Sequence, residues 1–342
     1  MSDRPPAEAS PGQPARSSAL TSRALWVVGL RRAELREGAL SPLAPGHVRV
    51  RARASGISRG TESLVFNGLV PESEHARMRG PFQEGAFPWP VKYGYCVVGT
   101  IVGGDAAREG ERVFCLHPHQ TLFDVPAAAA LPVPADVPDR RATLAANLET
   151  AINALWDARP LVGDRIAVIG AGSVGLLAAW LAARIPGTAV TLVEPDPGRA
   201  ATAGALGLAV ATPEAAPGDN DLVIHASGRP EGLVRALELA GDEAAVIELS
   251  WYGKRPVPLP LGAAFHARRL RLISSQVGQL PPERRPRWTH ARRLALALEL
   301  LRDQALDTLI GAVIPFASLP DALPRVLDTA HPQPWAVVDY GA

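Results

Sequence analysis

Cysteine is nearly missing from this chain: Cys96 and Cys115 are the only two in 342 residues. That excludes a disulfide framework and any four-cysteine metal cluster, and it fits a reduced, cytoplasmic compartment. A charge of one sign is missing too. Thirty-five Lys and Arg stand against 34 Asp and Glu, for a net charge of +1, so no broad field invites nucleic acid or an anionic membrane surface. Local basic stretches at Arg268–Arg271 and Pro282–Arg287 read either as solvated faces or as contacts to an anionic substrate or cofactor phosphate. No apolar run approaches the roughly 20 residues of a membrane-spanning helix, because Gly, Pro or Arg interrupts the longest. Residues 1–19 lack an apolar core and are rich in Pro, Ala, Ser and Gly, which predicts a disordered tail rather than a signal peptide.

What is present is most informative at residues 166–175. The apolar strand Ile166-Ala167-Val168-Ile169 runs into Gly170-Ala171-Gly172-Ser173-Val174-Gly175, and an Ala/Leu-rich helix follows. Gly170 permits the tight turn, Gly172 lets backbone approach a pyrophosphate, and Gly175 lets helix and strand pack closely. Around Ser173 and Val174 the helix N-terminus offers free N–H groups and a partial positive charge to phosphates. A second apolar strand, Ala189–Val193, ends on Glu194, 24 residues after Gly170, where a carboxylate meets adenosine ribose hydroxyls. A dinucleotide site is therefore expected. Glu194 favours NAD because it repels a 2′-phosphate. Arg199 either lies over the adenosine or admits NADP.

Around this unit the chain alternates. Strands are predicted at 166–169, 189–193, 221–225, 244–249 and 270–274, with helices at 174–183, 197–206 and 230–240, which implies an α/β fold with a doubly wound parallel sheet. Residues 24–150 read instead as short strands and turns with dense proline, apart from one helix over Arg140–Ala158. A helix is predicted at 290–302, and strand, helix and strand at 310–315, 319–328 and 335–339. Ser227, after the strand 221–225, and Ser250, after the strand 244–249, fall at carboxyl ends of strands. Ligands bind there in such sheets, so both are expected to line the cofactor cleft.

The order of motifs resembles the medium-chain dehydrogenase/reductase superfamily, the alcohol dehydrogenase-like enzymes, from about residue 24 onward. Ser55-Gly56-Ile57-Ser58-Arg59-Gly60-Thr61-Glu62 is similar to that family's Gly-Ile-Cys-Gly-Thr-Asp turn with one residue inserted. Gly94–Val102 stands where the family has Gly-His-Glu and a Gly-x-Val strand. Gly110-Glu111-Arg112-Val113 resembles its Gly-Asp-Arg-Val turn, and Glu149–Leu155 its Thr-Ala helix. The first of these segments also resembles the bacteriochlorophyllide dehydrogenase subgroup. The resemblance implies a GroES-like β-barrel catalytic domain over 20–155, a Rossmann domain over 156–290 and a return to the catalytic domain over 291–342. It implies hydride transfer between a nicotinamide and a small organic substrate, in a homodimer with no nucleic-acid or membrane partner.

At the family's catalytic zinc columns this sequence has Ser58 (or Arg59), Tyr95 and Ala145 or Ala146. None is a usual zinc ligand, so no zinc is expected. An unorthodox set could come only from Glu62, His75, Cys96, His117, His119 and Glu149. Without a metal, a protein hydroxyl must serve the substrate oxygen. Thr61 is the first candidate and Tyr95 the second, with Ser58, Glu62 and His117 behind them. The leading expectation is a zinc-independent, NAD-dependent oxidoreductase acting on a hydroxyl or carbonyl group. The alternatives are an NADPH-dependent quinone or enoyl reductase and a nucleotide-binding sensor or scaffold without catalysis.

Overall fold

A computed structural model describes residues 20–328 and 335–341; the tail expected over residues 1–19 lies outside them. In chain order the N-terminal part holds strands β1 (Thr21–Gly29), β2 (Arg32–Ala39) and β3 (His47–Gly56), then helix α1 (Arg59–Phe66). Strands β4 (Glu84–Gly85), β5 (Val91–Lys92), β6 (Val97–Gly103), β7 (Arg112–Cys115), β8 (Leu122–Pro126) and β9 (Leu131–Pro132) follow. Helices α2 (Asp139–Ala142) and α3 (Ala145–Ala158) lead into β10 (Arg165–Ile169), α4 (Ser173–Ala182), β11 (Ala189–Val193), α5 (Pro197–Ala205) and β12 (Ala209–Ala211). Then come β13 (Asn220–His225), α6 (Pro230–Leu239), β14 (Ala240–Glu248), β15 (Arg271–Ser274), α7 (His290–Leu300), β16 (Ile310–Pro315), α8 (Leu319–Val326) and β17 (Trp335–Asp339). None of the described helices is long and apolar enough to cross a membrane.

Six strands form one sheet in the order β12-β11-β10-β13-β14-β15, every pairing parallel. This is the doubly wound arrangement, with its switch point between β10 and β13. Helices cover both faces, so β10 reads as an unbroken apolar run: Ile166, Ala167 and Val168 are fully buried. Helix α4 is apolar all round because it packs between this sheet and α3. Leu177 and Ala178 there are fully buried. Leu177→Ala would cost about 2–5 kcal/mol through lost transfer energy and a residual cavity.

The N-terminal strands build a second, seven-stranded sheet, β16-β17-β3-β6-β7-β9, with β8 on β3, and a four-stranded one, β2-β1-β5-β4. Together they make an α/β chain with a β-rich domain beside a Rossmann sheet, as expected. The late strands β16 and β17 enter the sheet of the early ones, and β17 pairs antiparallel with β3.

Some local expectations are corrected. The helix expected over 140–158 is two helices, broken at Thr143 and Leu144. The break lets the Thr143 hydroxyl receive the indole N–H of Trp335 at 2.9 Å and donate to the Arg140 carbonyl at 2.6 Å. Strand β14 begins at Ala240 rather than 244, because the backbone turns extended directly at the end of α6.

Candidate active site

The phosphate loop has the geometry its glycines require. Gly170 holds φ +101°, and a Cβ there would strike Ser227 Cα at 2.7 Å. A Cβ on Gly175 would meet the Gly170 carbonyl oxygen at 1.9 Å, so only glycine permits this approach of helix to strand. At Gly172 a Cβ would meet nothing within 4 Å. Gly172 is also the N-cap of α4 and offers no side chain to the first N–H groups, those of Ser173, Val174 and Gly175. An open, uncapped helix N-terminus at a switch point fits a pyrophosphate.

Glu194 follows β11 and is 5% exposed. Its carboxylate accepts from the backbone N–H groups of Ala171 (2.8 Å) and Asp196 (3.0 Å), and the Arg199 guanidinium lies 3.5 Å away. The carboxylate therefore fixes the loop at Ala171. Asp196 caps α5 by accepting from the Arg199 N–H at 2.9 Å. A second arginine, Arg59 at the start of α1, belongs to the same electrostatic neighbourhood. Burial and the like charge of Arg199 push its pKa down to about 10, with Asp328 opposing. In the sequence Arg59 stands only as an alternative occupant of a zinc-ligand column.

On the barrel side, the zinc columns hold a chain of hydroxyls. Tyr95 donates to Ser58 Oγ at 2.5 Å, and Ser58 Oγ donates to Asn147 Oδ1 at 3.3 Å. Burial drives the Tyr95 pKa well above its usual value, with Cys96 and Tyr93 adding and the hydroxyls of Ser58 and Thr61 opposing. The phenol is thus held neutral, as a hydrogen-bond donor. Ser58 and Thr61 flank the start of α1, and Ser58 N–H donates to Glu62 Oε1 at 2.7 Å. The loop after β14 closes on this wall. Lys254 N–H donates to the Leu69 carbonyl at 3.0 Å, and Trp251 packs on the apolar cluster that also meets Tyr95.

Four of the other metal candidates are engaged elsewhere. Glu62 Oε2 lies 3.2 Å from His119 Nε2, and His119 Nδ1 lies 2.7 Å from Ser55 Oγ. Glu149 pairs with Arg293 at 3.0 Å, both buried. His117 stacks on Phe123 at 3.8 Å between centroids, and burial pushes its pKa down to about 3. His117 and His119 thus serve separate networks. Among the described residues no three His, Cys, Asp or Glu side chains converge as a metal set. These residues do not fit a family-type catalytic zinc, whose ligands must be three such donors with one position left open.

The Rossmann side carries a cluster that sequence reading only grazed. His225 and Glu248 are register partners on β13 and β14. The imidazole Nδ1 lies 2.8 Å from Glu248 Oε2, and Nε2 lies 2.6 Å from Ser227 Oγ. Glu248 also accepts from Ser250 N–H (2.6 Å) and the Tyr252 hydroxyl (3.0 Å). Ser250 Oγ accepts from Gly228 N–H at 3.0 Å, tying the two loops together. The contact is between adjacent strands, so a spacing of 23 residues gave no local signal.

No protein-family model matches the chain. Over 198 residues it is 27% identical to D-guloside 3-dehydrogenase of Escherichia coli K12, an alignment covering 54% of this chain and 56% of that protein. The match thus spans little more than half of the relative's length. Among solved structures it resembles an alcohol dehydrogenase of E. coli CFT073 complexed with NADH, with TM-score 0.74 and 18% identity over 94% of this chain and 99% of that one. It also resembles a protein of Sinorhizobium meliloti 1021 described as a zinc-binding dehydrogenase and bound to NADP, with TM-score 0.74, 19% identity and the same coverage. The chain has the fold of the medium-chain alcohol dehydrogenases, a GroES-like domain joined to a Rossmann domain.

Proposed function

We propose that this protein is an NAD(P)-dependent oxidoreductase that moves a hydride between the nicotinamide and a hydroxyl or carbonyl carbon of a small substrate, without zinc. The observation that carries this reading is the Gly170–Gly175 loop, open at Gly172 and facing an uncapped helix N-terminus, in a chain whose fold is that of dehydrogenases. NAD is the favoured cofactor, because the buried Glu194 carboxylate opposes a 2′-phosphate. Arg59 and Arg199 keep NADP within reach.

A bound nicotinamide supplies or accepts the hydride; the chain must handle the matching proton and the developing charge on oxygen. Tyr95 is the primary candidate donor. Its phenol is neutral, and Ser58 and Asn147 hold it in place. To serve a developing alkoxide, Tyr95 must turn its single hydrogen from Ser58 to the substrate oxygen. Thr61, whose hydroxyl interacts with Tyr95, is the second candidate, and Ser58 positions both. Ser227 and Ser250 line the cofactor side. The partial likeness to a D-guloside 3-dehydrogenase supports testing secondary alcohols of glycosides and polyols first.

The test is a panel of such alcohols and their carbonyl counterparts with NAD⁺, NADP⁺ and their reduced forms, followed by nicotinamide absorbance. Cofactor binding with no turnover on any substrate would favour the sensor reading; no cofactor binding would refute both. We also propose a homodimer; the Rossmann sheet has two edge strands, β12 and β15, and Leu272 on β15 is exposed. Light scattering at micromolar protein tests it.

A further inference from the structure

Glu248 accepts from three donors: the His225 ring, the Ser250 backbone and the Tyr252 hydroxyl. An acceptor so engaged fixes the imidazole tautomer, because Nδ1 must carry a hydrogen. Only Nε2 is left to change, and it faces Ser227 Oγ at 2.6 Å. Ser227 Oγ also receives the Arg229 N–H at 3.2 Å. With a neutral ring, Ser227 spends its single hydrogen on Nε2 and shows the crevice a lone pair. With a charged ring, Nε2–H donates to Ser227, and the serine hydrogen is released to turn outward, with the Arg229 carbonyl at 3.5 Å as the competing acceptor.

The place of Ser227 makes that choice matter. It is half-buried, and its backbone lies against Gly170, the first glycine of the phosphate loop. We propose that His225 and Glu248 are positioning residues for dinucleotide binding: they set whether Ser227 donates to or accepts from the anionic pyrophosphate–ribose segment of the cofactor. This rests on the dinucleotide reading above. An anionic ligand favours the outward-donating serine and the charged ring behind it, so binding takes up a proton at His225.

The surroundings leave His225 as the group that answers. Glu248 and Tyr252 face it from β14 and the loop beyond. Ser250 approaches it at 3.4 Å. Helix α6 brings Gly232 against the ring, and β10 presents Ile169 as its register partner. Two arginines lie near: Arg255 donates to the Gly228 carbonyl at 3.4 Å, and Arg229, at the start of α6, gives its backbone N–H to Ser227.

NADH and NADPH binding to the full chain should be measured by calorimetry at pH 6 to 8.5, in two buffers of different ionisation enthalpy. The expected result for the wild type is net proton uptake, and affinity about tenfold higher at the acid end, the size of one charge-assisted hydrogen bond. His225→Gln should flatten the pH profile and abolish the uptake. Ser227→Ala, at a half-buried position, should do the same if the buried variant fails to fold. Wild-type binding with no proton uptake, or an unchanged profile in Ser227→Ala, overturns the proposal while leaving the dinucleotide reading intact. If the wild type binds neither NADH nor NADPH, both fall.

Discussion

Tyr95 donates its phenolic hydrogen to Ser58 at 2.5 Å, and these two residues occupy two of the positions where zinc ligands stand in the family the chain resembles. A metal's job of holding charge on a substrate oxygen would then pass to a fixed hydroxyl pair. Tyr95→Phe should lower the turnover number by about tenfold or more while leaving cofactor affinity nearly unchanged. Thr61→Val should show the same pattern. Equal losses in turnover and in cofactor affinity would instead make both residues structural.

The zinc reading has its own assay. Elemental analysis of purified protein should find substoichiometric zinc, and activity should survive chelation. The positions that would have to ligate hold Ser58, Tyr95 and Ala145 or Ala146, while Glu149 is committed to Arg293. One tightly held zinc per chain would sink the idea.

Two glycines of one loop should fail differently. Gly172→Val places its side chain in open space over the loop, so the protein should fold and lose dinucleotide binding. Gly175→Ala drives a methyl against the Gly170 carbonyl oxygen, so it should lower the melting temperature even without ligand. Thermal melts with and without NADH separate the two. Unaltered affinity in a folded Gly172→Val protein would remove the central claim.

Glu194→Ala should weaken NAD binding and relax discrimination against NADP. The variant also leaves the Ala171 and Asp196 N–H groups without their acceptor. A buried donor left unmatched costs about 1–3 kcal/mol, so the apo protein should be less stable as well. If wild-type protein prefers NADPH to NADH, the role given to Glu194 is wrong.

His117 predicts an acid-side slope. Its folded pKa is depressed to about 3 from 6.5 by burial, so the ring is neutral in the fold while the unfolded chain binds a proton there. Stability from this group is full above about pH 6.5 and falls as pH drops toward 3, by at most about 1.4 kcal/mol per pH unit. His117→Phe should shallow that slope in denaturant titrations. Identical slopes in both proteins would exclude this residue as the cause.

The Rossmann half was legible because its strands are buried on both faces and its turns are marked by glycine. The predicted range Ala189–Val193 coincides with the observed strand. Strand β2, Arg-Ala-Glu-Leu-Arg-Glu-Gly-Ala, escaped notice: it carries no β-branched residue and lies mostly exposed. It is held by backbone pairing with β1, and only Ala33 and Leu35 pack on the core. The site divides the same way. Gly170, Gly172 and Gly175 announce their jobs locally. The His225–Glu248 pair arises only when parallel strands come into register, and His119 meets Glu62 only across the barrel. Such partners leave no periodic trace.

Strand β17 carries a consequence for how the molecule comes together. It lies between β16 and β3, and Trp335 at its start fills the space over Gly56, where a Cβ would meet the indole at 2.1 Å. During synthesis, then, the N-terminal sheet waits with an unpaired edge while the whole Rossmann unit emerges and folds. Until Trp335–Asp339 arrives, the end of β3 at Ala54–Gly56 lacks this partner and is open to pairing with other chains. The Rossmann sheet has all its strands by Ser274, whereas the seven-stranded sheet of the barrel is complete only when β16 and β17 join it.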